Sequence, residues 1–194
     1  MKYICVFCGS SMGARPAYQA AAVAMGQAIV RHNMGLVYGG GNVGLMGTIA
    51  DAVLTAGGEA IGVIPQFLQA KEVAHLGLTQ LHVVESMHER KALMTDLSDA
   101  FVALPGGYGT FEEFCEILTW AQLKLHQKAF GLLNVEGYYD PLLELFDRAV
   151  TEKFLQPELR SIVLESREPD QLLEQLQNYK PPVVEKWLKP EIKT

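Results

Sequence analysis

The stretch that decides the fold is Leu-Pro-Gly-Gly-Tyr-Gly-Thr-Phe-Glu-Glu, residues 104–113. It follows the apolar run 100–104, which is typical of a buried parallel strand, and it leads into a helical pattern over 110–123. A strand, a glycine-rich turn and a helix in this order present free backbone N–H groups and the positive end of a helix dipole to an anion. Glycine also lets a ligand approach the backbone closely. The stretch therefore predicts a phosphate-binding turn.

Two other turns of this kind precede it in the chain. Residues 39–47 read Gly-Gly-Gly-Asn-Val-Gly-Leu-Met-Gly and follow a short apolar run, while residues 8–11 read Cys-Gly-Ser-Ser and offer two hydroxyls. In a parallel sheet all three turns would open on one edge, where ligands bind. We expect four residues of the two turns to contact a ligand: Gly9, Ser10, Gly40 and Gly41.

Apolar, β-rich runs alternate with helical patterns along most of the chain. The runs are 3–7, 36–38, 60–64, 80–84, 100–104, 130–133 and 161–164, and the helical patterns are 16–31, 45–56, 87–97, 110–123, 141–153 and 169–178. Near-continuous apolar strands are typical of a sheet covered on both sides. The sequence predicts an α/β fold: a doubly wound, Rossmann-like open parallel sheet of about seven strands with helices on both faces.

Composition predicts one domain and argues against two classes of binding partner, nucleic acid and membranes. The chain has 194 residues, of which 49% are hydrophobic, and we expect a single domain over 1–180 with a tail over 181–194. The net charge of −6 and the lack of a basic cluster argue against nucleic acid as a partner. No run approaches the ~20 apolar residues of a membrane span, and the first residues lack a signal-peptide pattern. We expect no membrane partner.

The cysteines and histidines indicate no redox or metal chemistry. Cys5, Cys8 and Cys115 are too few for a disulfide framework, which predicts a cytoplasmic protein. Cys5-x-x-Cys8 has a redox spacing, but Cys5 falls within a strand pattern, so packing is the favoured interpretation. The histidines show no metal-ligand spacing. We expect neither a metal nor another cofactor.

The common nucleotide fingerprints are missing. A dinucleotide fold would carry Gly-x-Gly-x-x-Gly after the first strand and an acidic residue at the end of the second. Here the first turn reads Cys-Gly-Ser-Ser-Met-Gly over 8–13, and the second strand ends in Tyr38-Gly39. Nor does any stretch spell the Gly-x-x-x-x-Gly-Lys-Ser/Thr of a P-loop. The sequence thus disfavours a dinucleotide enzyme and a P-loop nucleotidase.

Two charged residues fall beside the predicted turn. Glu113 could complete a capping box with Thr110, yet its spacing to Ile117 and Trp120 also places it near the inward stripe of the helix, facing the cleft. Arg90 shares a helical face with apolar residues, close to a helix start that Ser86-x-x-Glu89 would cap. Because a cation there opposes the helix dipole, we expect an anionic partner for Arg90, either Glu113 or a ligand.

With these motifs in place, the chain resembles the LONELY GUY (LOG) family of cytokinin riboside 5′-monophosphate phosphoribohydrolases, formerly labelled possible lysine decarboxylases. The resemblance rests on Pro-Gly-Gly-Tyr-Gly-Thr-Phe-Glu-Glu at 105–113, on the turn at 39–47, on Met-His-Glu-Arg-Lys at 87–91 and on Val-Phe-Cys-Gly-Ser-Ser at 6–11. It extends from about residue 2 to residue 150.

The resemblance implies roles for individual residues. Arg90 and Glu113 would form the catalytic pair. A 5′-phosphate would lie against Gly107, Tyr108, Gly109 and Thr110, and further substrate contacts would come from Glu72, Lys91 and Thr119. The resemblance also implies a homodimer and hydrolysis of the N-glycosidic bond of adenosine 5′-monophosphate (AMP), or its N6-substituted form, to the free base and ribose 5-phosphate.

Two other functions stay open at this point. A nucleotide-binding protein without catalysis could use the same turns, although Arg90 and Glu113 together argue against it. A decarboxylase, as the older family label suggests, would need pyridoxal phosphate on a lysine. Lys91 falls near the presumed cleft, one residue from an arginine at a helix start, which disfavours that chemistry.

Overall fold

In the computed structural model, which describes residues 1–69 and 73–183, seven parallel strands form one sheet. The strands are β1 Tyr3–Phe7, β2 Gly35–Tyr38, β3 Ala60–Pro65, β4 Gln80–Val84, β5 Ala100–Ala103, β6 Ala129–Leu133 and β7 Val163–Ser166. Their order across the sheet is β4-β3-β2-β1-β5-β6-β7. The prediction of a doubly wound parallel sheet is confirmed.

Seven α-helices connect and cover these strands in the described part of the chain. They are α1 Pro16–Arg31, α2 Gly44–Thr55, α3 Met87–Leu97, α4 Tyr108–Gln122, α5 Asp140–Thr151, α6 Pro157–Arg160 and α7 Pro169–Gln177. Short 3₁₀ turns lie at Gln66–Leu68 and Val135–Gly137. None of these helices is long and apolar enough to cross a membrane.

The core lies in two layers, one on each face of the sheet. Alternate residues of β1 illustrate this division: Ile4 and Val6 pack with α1, α2 and α7, whereas Cys5 and Phe7 pack with helices that include α3 and α4. All four β1 side chains are buried, with exposures of 3% or less. The helices on both faces explain why the strands read as continuous apolar runs.

Several element boundaries differ from the sequence prediction. The last strand begins at Val163 rather than at 161, because the short helix α6 and the turn after it occupy the preceding residues. Helix α4 begins at Tyr108 rather than at Thr110. The predicted tail over 181–194 lies outside the described residues from 184 onwards.

Candidate active site

The loops after β1 and β5 meet where the strand order reverses. β1 pairs with β2 on one side and with β5 on the other, so its two neighbours belong to opposite halves of the sheet. The backbone N–H of Gly9 donates to the Pro105 carbonyl (3.1 Å), which joins the two loops directly. This crevice is the position at which doubly wound sheets bind their ligands.

Gly106 allows this close approach of the two loops. A Cβ at Gly106 would overlap the Thr110 side chain and would lie 2.9 Å from the Gly9 nitrogen. The Gly106 carbonyl also accepts a hydrogen bond from the Tyr138 hydroxyl (2.5 Å). Glycine at this position is therefore a requirement of the fold, whatever the ligand.

A cavity of about 240 Å³ opens at the crevice. It brings together most of the residues that the sequence predicted for the site: Gly9, Ser10, Arg90, segment 107–110 and Glu113. The walls come from the loops after β1, β3 and β5 and from the N-terminal parts of α2, α3 and α4. The predicted phosphate turn and the predicted catalytic pair thus face the same space.

The start of α4 supplies backbone donors to this cavity. Gly107 is the N-cap and has no side chain to accept the first helical N–H groups. The Phe111 N–H donates to the Gly107 carbonyl (3.0 Å), which leaves the N–H groups of Tyr108, Gly109 and Thr110 at the open end of the helix. The first turn carries no acidic residue. This end of α4 suits an anion.

The predicted capping box at Thr110 and Glu113 is wrong. Because α4 begins two residues earlier, Thr110 occupies the third helical position and no side chain caps the helix. Thr110 is 3% exposed and packs against Gly106, and Glu113 lies in the second turn. At the start of α3 the predicted cap is present, since the Ser86 hydroxyl oxygen accepts from the Glu89 N–H (3.2 Å).

Two glycines of the turn face open space. A Cβ at Gly107 or at Gly109 would meet no described atom within 4 Å. Packing in the described chain therefore does not require glycine at either position. A bound group that touches the backbone at this point would require it, as close approach to phosphate does in other glycine turns.

Arg90 is buried at the floor of the cavity, with 3% exposure. Its Nη2 donates to the Gly39 carbonyl at the end of β2 (2.9 Å). A Cβ at Gly39 would overlap that same nitrogen, so glycine at this position makes room for the guanidinium. The thioether of Met87 lies 3.9 Å from Nη1. These contacts fix a positive charge at the base of the site.

Glu113 places a negative charge in the same region. Its side chain is half-buried and lines the cavity with Arg90. Burial, and then the nearby Glu113 carboxylate, raise the pKa of the Cys8 thiol well above its usual range. Burial also raises the pKa of Cys5, on which Glu113 and Arg90 act with opposite signs. Both cysteines are therefore neutral packing groups beneath the site, as the sequence indicated.

Lys91 points away from this cavity and towards α4. Its Nζ lies 2.5 Å from Glu112 and 2.9 Å from Glu116, and its side chain is 9% exposed. Burial lowers the pKa of Lys91, but the bonds to the two carboxylates outweigh it and the pKa is raised. The amino group is therefore protonated and joins α3 to α4. Contact between Lys91 and a substrate stays a prediction.

Four other predicted residues lie outside this set. Thr119 lines a separate apolar groove and donates to the Cys115 carbonyl (2.8 Å). Gly40 and Gly41 contact the loop after β3: Gly40 accepts from the His75 N–H (2.9 Å), and Gly41 forms a β-bridge with Ala74. Glu72 lies outside the described residues. Substrate contacts from these four stay predictions.

Sequence reasoning missed the apolar wall of the cavity. Met46, Leu68 and Met87 line it together with Cys8. Met87 stands three residues before Arg90 on the same helical face, and Met46 stands within the second glycine turn, so both had a detectable signal. Leu68 had none, because its loop lacks a helical or strand period.

Among the described residues, no cluster of His, Cys, Asp or Glu could hold a metal ion. No pyridoxal site forms around Lys91 either. A Schiff-base lysine must be neutral to attack an aldehyde, and the Lys91 amino group is held protonated by two carboxylates. The residues around Lys91 do not fit pyridoxal phosphate.

Comparison with known proteins gives a family match and several similar sequences. A family model described as "Possible lysine decarboxylase" matches residues 46–176. The cytokinin riboside 5′-monophosphate phosphoribohydrolase LOG7 of Arabidopsis thaliana is 49% identical over 93% of this chain and 83% of its own length. LOG1 of the same plant, which carries the same enzyme name, is 49% identical over 93% of this chain and 84% of its own length.

Solved structures show the same fold at low identity. The molybdenum cofactor carrier protein of Chlamydomonas reinhardtii superposes with a TM-score of 0.69 at 19% identity, covering 92% of this chain and 99% of that one. The molybdenum cofactor binding protein of Rippkaea orientalis gives a TM-score of 0.67 at 22% identity, covering 91% and 96%. The sequence matches establish that the chain belongs to the LONELY GUY family.

Proposed function

We propose that the protein is a hydrolase that cleaves the N-glycosidic bond of AMP or of N6-substituted cytokinin riboside 5′-monophosphates. Its products are the free base and ribose 5-phosphate. The observation that carries the proposal is the single cavity that holds a buried guanidinium, a half-buried carboxylate and the open N-terminus of α4. The names of relatives at about half identity support the same reaction.

The 5′-phosphate binds at the start of α4. The N–H groups of Tyr108, Gly109 and Thr110 donate to its oxygens, and the helix dipole favours its charge. The open space at Gly107 and Gly109 accommodates the phosphate against the backbone. Ser10, from the loop after β1, lines the same cavity and adds a hydroxyl.

Glu113 assists the attack of water. As the bond between C1′ and the base nitrogen breaks, the ribose gains oxocarbenium character, which a nearby carboxylate stabilises. The carboxylate also orients the water and accepts its proton while the water oxygen bonds to C1′. A water nucleophile needs room between the carboxylate and the sugar, as in glycosidases.

Arg90 stabilises the departing base. The electron pair of the broken bond stays on the base, and a fixed positive charge lowers the energy of that developing anion. A guanidinium remains protonated in proteins and is a poor proton donor, so Arg90 acts as an electrostatic group. The departing base takes its proton from water, and the protonated Glu113 returns its proton to water, which restores the carboxylate. Its bond to the Gly39 carbonyl sets its position before substrate arrives.

Incubation with AMP tests the reaction, and N6-isopentenyladenosine 5′-monophosphate tests the finer choice of substrate. Chromatography of the mixture measures the free base, and a coupled assay measures ribose 5-phosphate. We expect both products in equal amounts from at least one of the two nucleotides. Saturable nucleotide binding without either product would favour a non-catalytic binding protein instead.

We also propose a cytoplasmic homodimer that uses neither nucleic acid nor membrane as a partner. The support for a dimer is an apolar groove between α4, α5 and β7, which is lined by residues that include Leu118, Phe146 and Phe154. Phe154 is 81% exposed at its edge. Exposed apolar surface of this kind marks association sites. The support for the cytoplasm is three free cysteines, two of them buried.

A further inference from the structure

The loop between β3 and β4 forms part of the cavity wall. Its described residues are 66–69 and 73–79, and Leu68 lines the cavity. The backbone ties this loop to the second glycine turn. Asn42 N–H donates to the Val73 carbonyl (2.8 Å), and His75 N–H donates to the Gly40 carbonyl (2.9 Å). The loop therefore rests on the turn at 39–42.

The side chain of His75 adds a second attachment. Its ring is buried, with 7% exposure, although it stands in a loop. One ring nitrogen, Nδ1, accepts from the Gly77 N–H (3.1 Å), so the proton of the neutral ring resides on Nε2. Nε2 in turn lies 3.0 Å from the Asp51 carboxylate on α2. Both ring nitrogens are thus satisfied, one within the loop and one on the neighbouring helix.

The turn at 39–42 forms hydrogen bonds to two parts of the site, Arg90 and the loop between β3 and β4. On one side the Gly39 carbonyl holds the Arg90 guanidinium (2.9 Å), and on the other side the Gly40 carbonyl and Asn42 N–H hold the loop. A loop that slipped from the turn would move the Leu68 wall relative to Arg90. Among the described residues of the loop, His75 is the only one whose side chain hydrogen-bonds to α2.

We propose that His75 is a positioning residue, which latches the loop between β3 and β4 to α2 through Asp51 and so sets the wall of the nucleotide cavity against Arg90. This inference rests on the proposed function, because it names the ligand of the cavity as a nucleoside monophosphate. His75 does not line the cavity. The two described halves of the loop are joined by the Ala74 N–H, which donates to the Gln69 carbonyl (3.2 Å), so His75 reaches Leu68 through its neighbour Ala74 and through Gln69. Its effect is on substrate affinity.

If His75 holds the loop in this way, its removal should change KM and leave kcat almost unchanged. A wall that contacts substrate and transition state equally raises KM when it is lost and leaves kcat almost unchanged. We expect His75→Ala to raise KM for AMP by about 5- to 10-fold, the range for one or two net hydrogen bonds, with kcat within about 2-fold. His75→Asn should lie between, because an Asn carbonyl can still accept the Gly77 N–H but cannot reach Asp51.

Hydrogen exchange measures the latch without any need for catalysis. The Asn42 amide proton is bonded across to the loop, so its exchange reports whether the loop is attached. We expect His75→Ala to accelerate exchange of this amide. Should the unsubstituted protein release no base, the proposed function falls, while this exchange rate and the dissociation constant of AMP still test the latch.

His32 provides a matched control. Its Nε2 lies 3.1 Å from Asp170, so it forms the same kind of contact between the end of α1 and α7, away from the cavity. His32→Ala should lower thermal stability, with KM and Asn42 exchange unchanged. If His75→Ala behaves like His32→Ala, or if Asn42 exchange rises while the affinity for AMP stays the same, His75 is a purely structural residue and the proposal is wrong.

Discussion

Arg90 and Lys91 are adjacent in sequence and serve different partners. Arg90 turns inward to the end of β2 and lines the cavity, whereas Lys91 turns to α4 and pairs with Glu112 and Glu116. Consecutive helical positions are about 100° apart, so neighbours face different elements. Lys91 thus joins the helix that carries one catalytic candidate, Arg90, to the helix that carries the other, Glu113.

Removal of the Arg90 guanidinium should impair chemistry more than folding. We expect Arg90→Ala to lower kcat by at least about 100-fold, the lower range for loss of one preorganised electrostatic contact. The variant also leaves the Gly39 carbonyl without this donor, which costs about 1–3 kcal/mol of stability. Measurement of turnover and of thermal unfolding on one preparation separates the effect on catalysis from the effect on stability. Lower stability with unchanged turnover would make Arg90 a structural residue.

Lys91 should couple energetically to Glu112. The pair is buried on the lysine side and 54% exposed on the glutamate side, so we expect a coupling of about 0.5–1 kcal/mol. The measurement is a double-mutant cycle of Lys91→Met and Glu112→Gln, read by urea unfolding. Zero coupling together with a raised KM for AMP would mean that Lys91 faces the substrate.

At the scale of elements, the glycines of the turn at 105–110 differ in what they do. Gly106 is packed against Gly9 and Thr110, whereas Gly107 and Gly109 face open space. Composition alone could not separate these roles, because each of the three reads as a flexible position in a turn. The distinction depends on where the loop after β1 arrives, which is a tertiary contact.

Alanine at two of these positions should have opposite effects on stability. Gly109 lies within α4 with no steric obstacle, so Gly109→Ala should raise the free energy of unfolding by roughly 0.5–1 kcal/mol. The new methyl group should also weaken AMP binding, because it stands where the phosphate approaches. Calorimetry measures both the free energy of unfolding and the affinity for AMP.

Gly106→Ala is the paired variant. Its Cβ would overlap Thr110, and overpacking of this kind costs about 1–3 kcal/mol. Equal stability of the two variants would contradict the assignment of Gly106 to the fold and Gly109 to the ligand.

The sequence predicted most elements because their signals are local. Continuous apolar runs marked the strands, and Pro16 marked the first position of α1. The start of α4 was placed two residues late, since Thr110 resembled a cap while the true cap, Gly107, has no side chain to recognise. Helix α6 was missed because four residues are too few for a helical period.

At the scale of the whole molecule, the strand order β4-β3-β2-β1-β5-β6-β7 creates the site. It places the loops after β1 and β5 side by side, and the turn after β2 supports Arg90 from below. The alternation of strands and helices predicted a doubly wound sheet and the shared edge for the turns. It could not predict that the turn at 39–47 holds Arg90 and a loop, because both contacts join residues far apart in sequence.

The apolar groove beside α4 makes a prediction about assembly. We expect sedimentation to give twice the chain mass of 21.4 kDa, and we expect Phe154→Glu to shift the protein towards monomer by placing a charge in the groove. Leu76→Glu is the control, since Leu76 is 92% exposed and does not line the groove. A monomer at all concentrations, or equal effects of both variants, would contradict a dimer through this surface.

The most direct test of the proposed reaction compares Glu113→Gln with Glu112→Gln in release of ribose 5-phosphate from AMP. Both changes remove one carboxylate from the same turn of α4, but Glu113 lines the cavity and Glu112 pairs with Lys91. We expect Glu113→Gln to bind AMP normally and to release no ribose 5-phosphate, while Glu112→Gln retains most of the activity. Unchanged turnover in Glu113→Gln would contradict a catalytic role for Glu113.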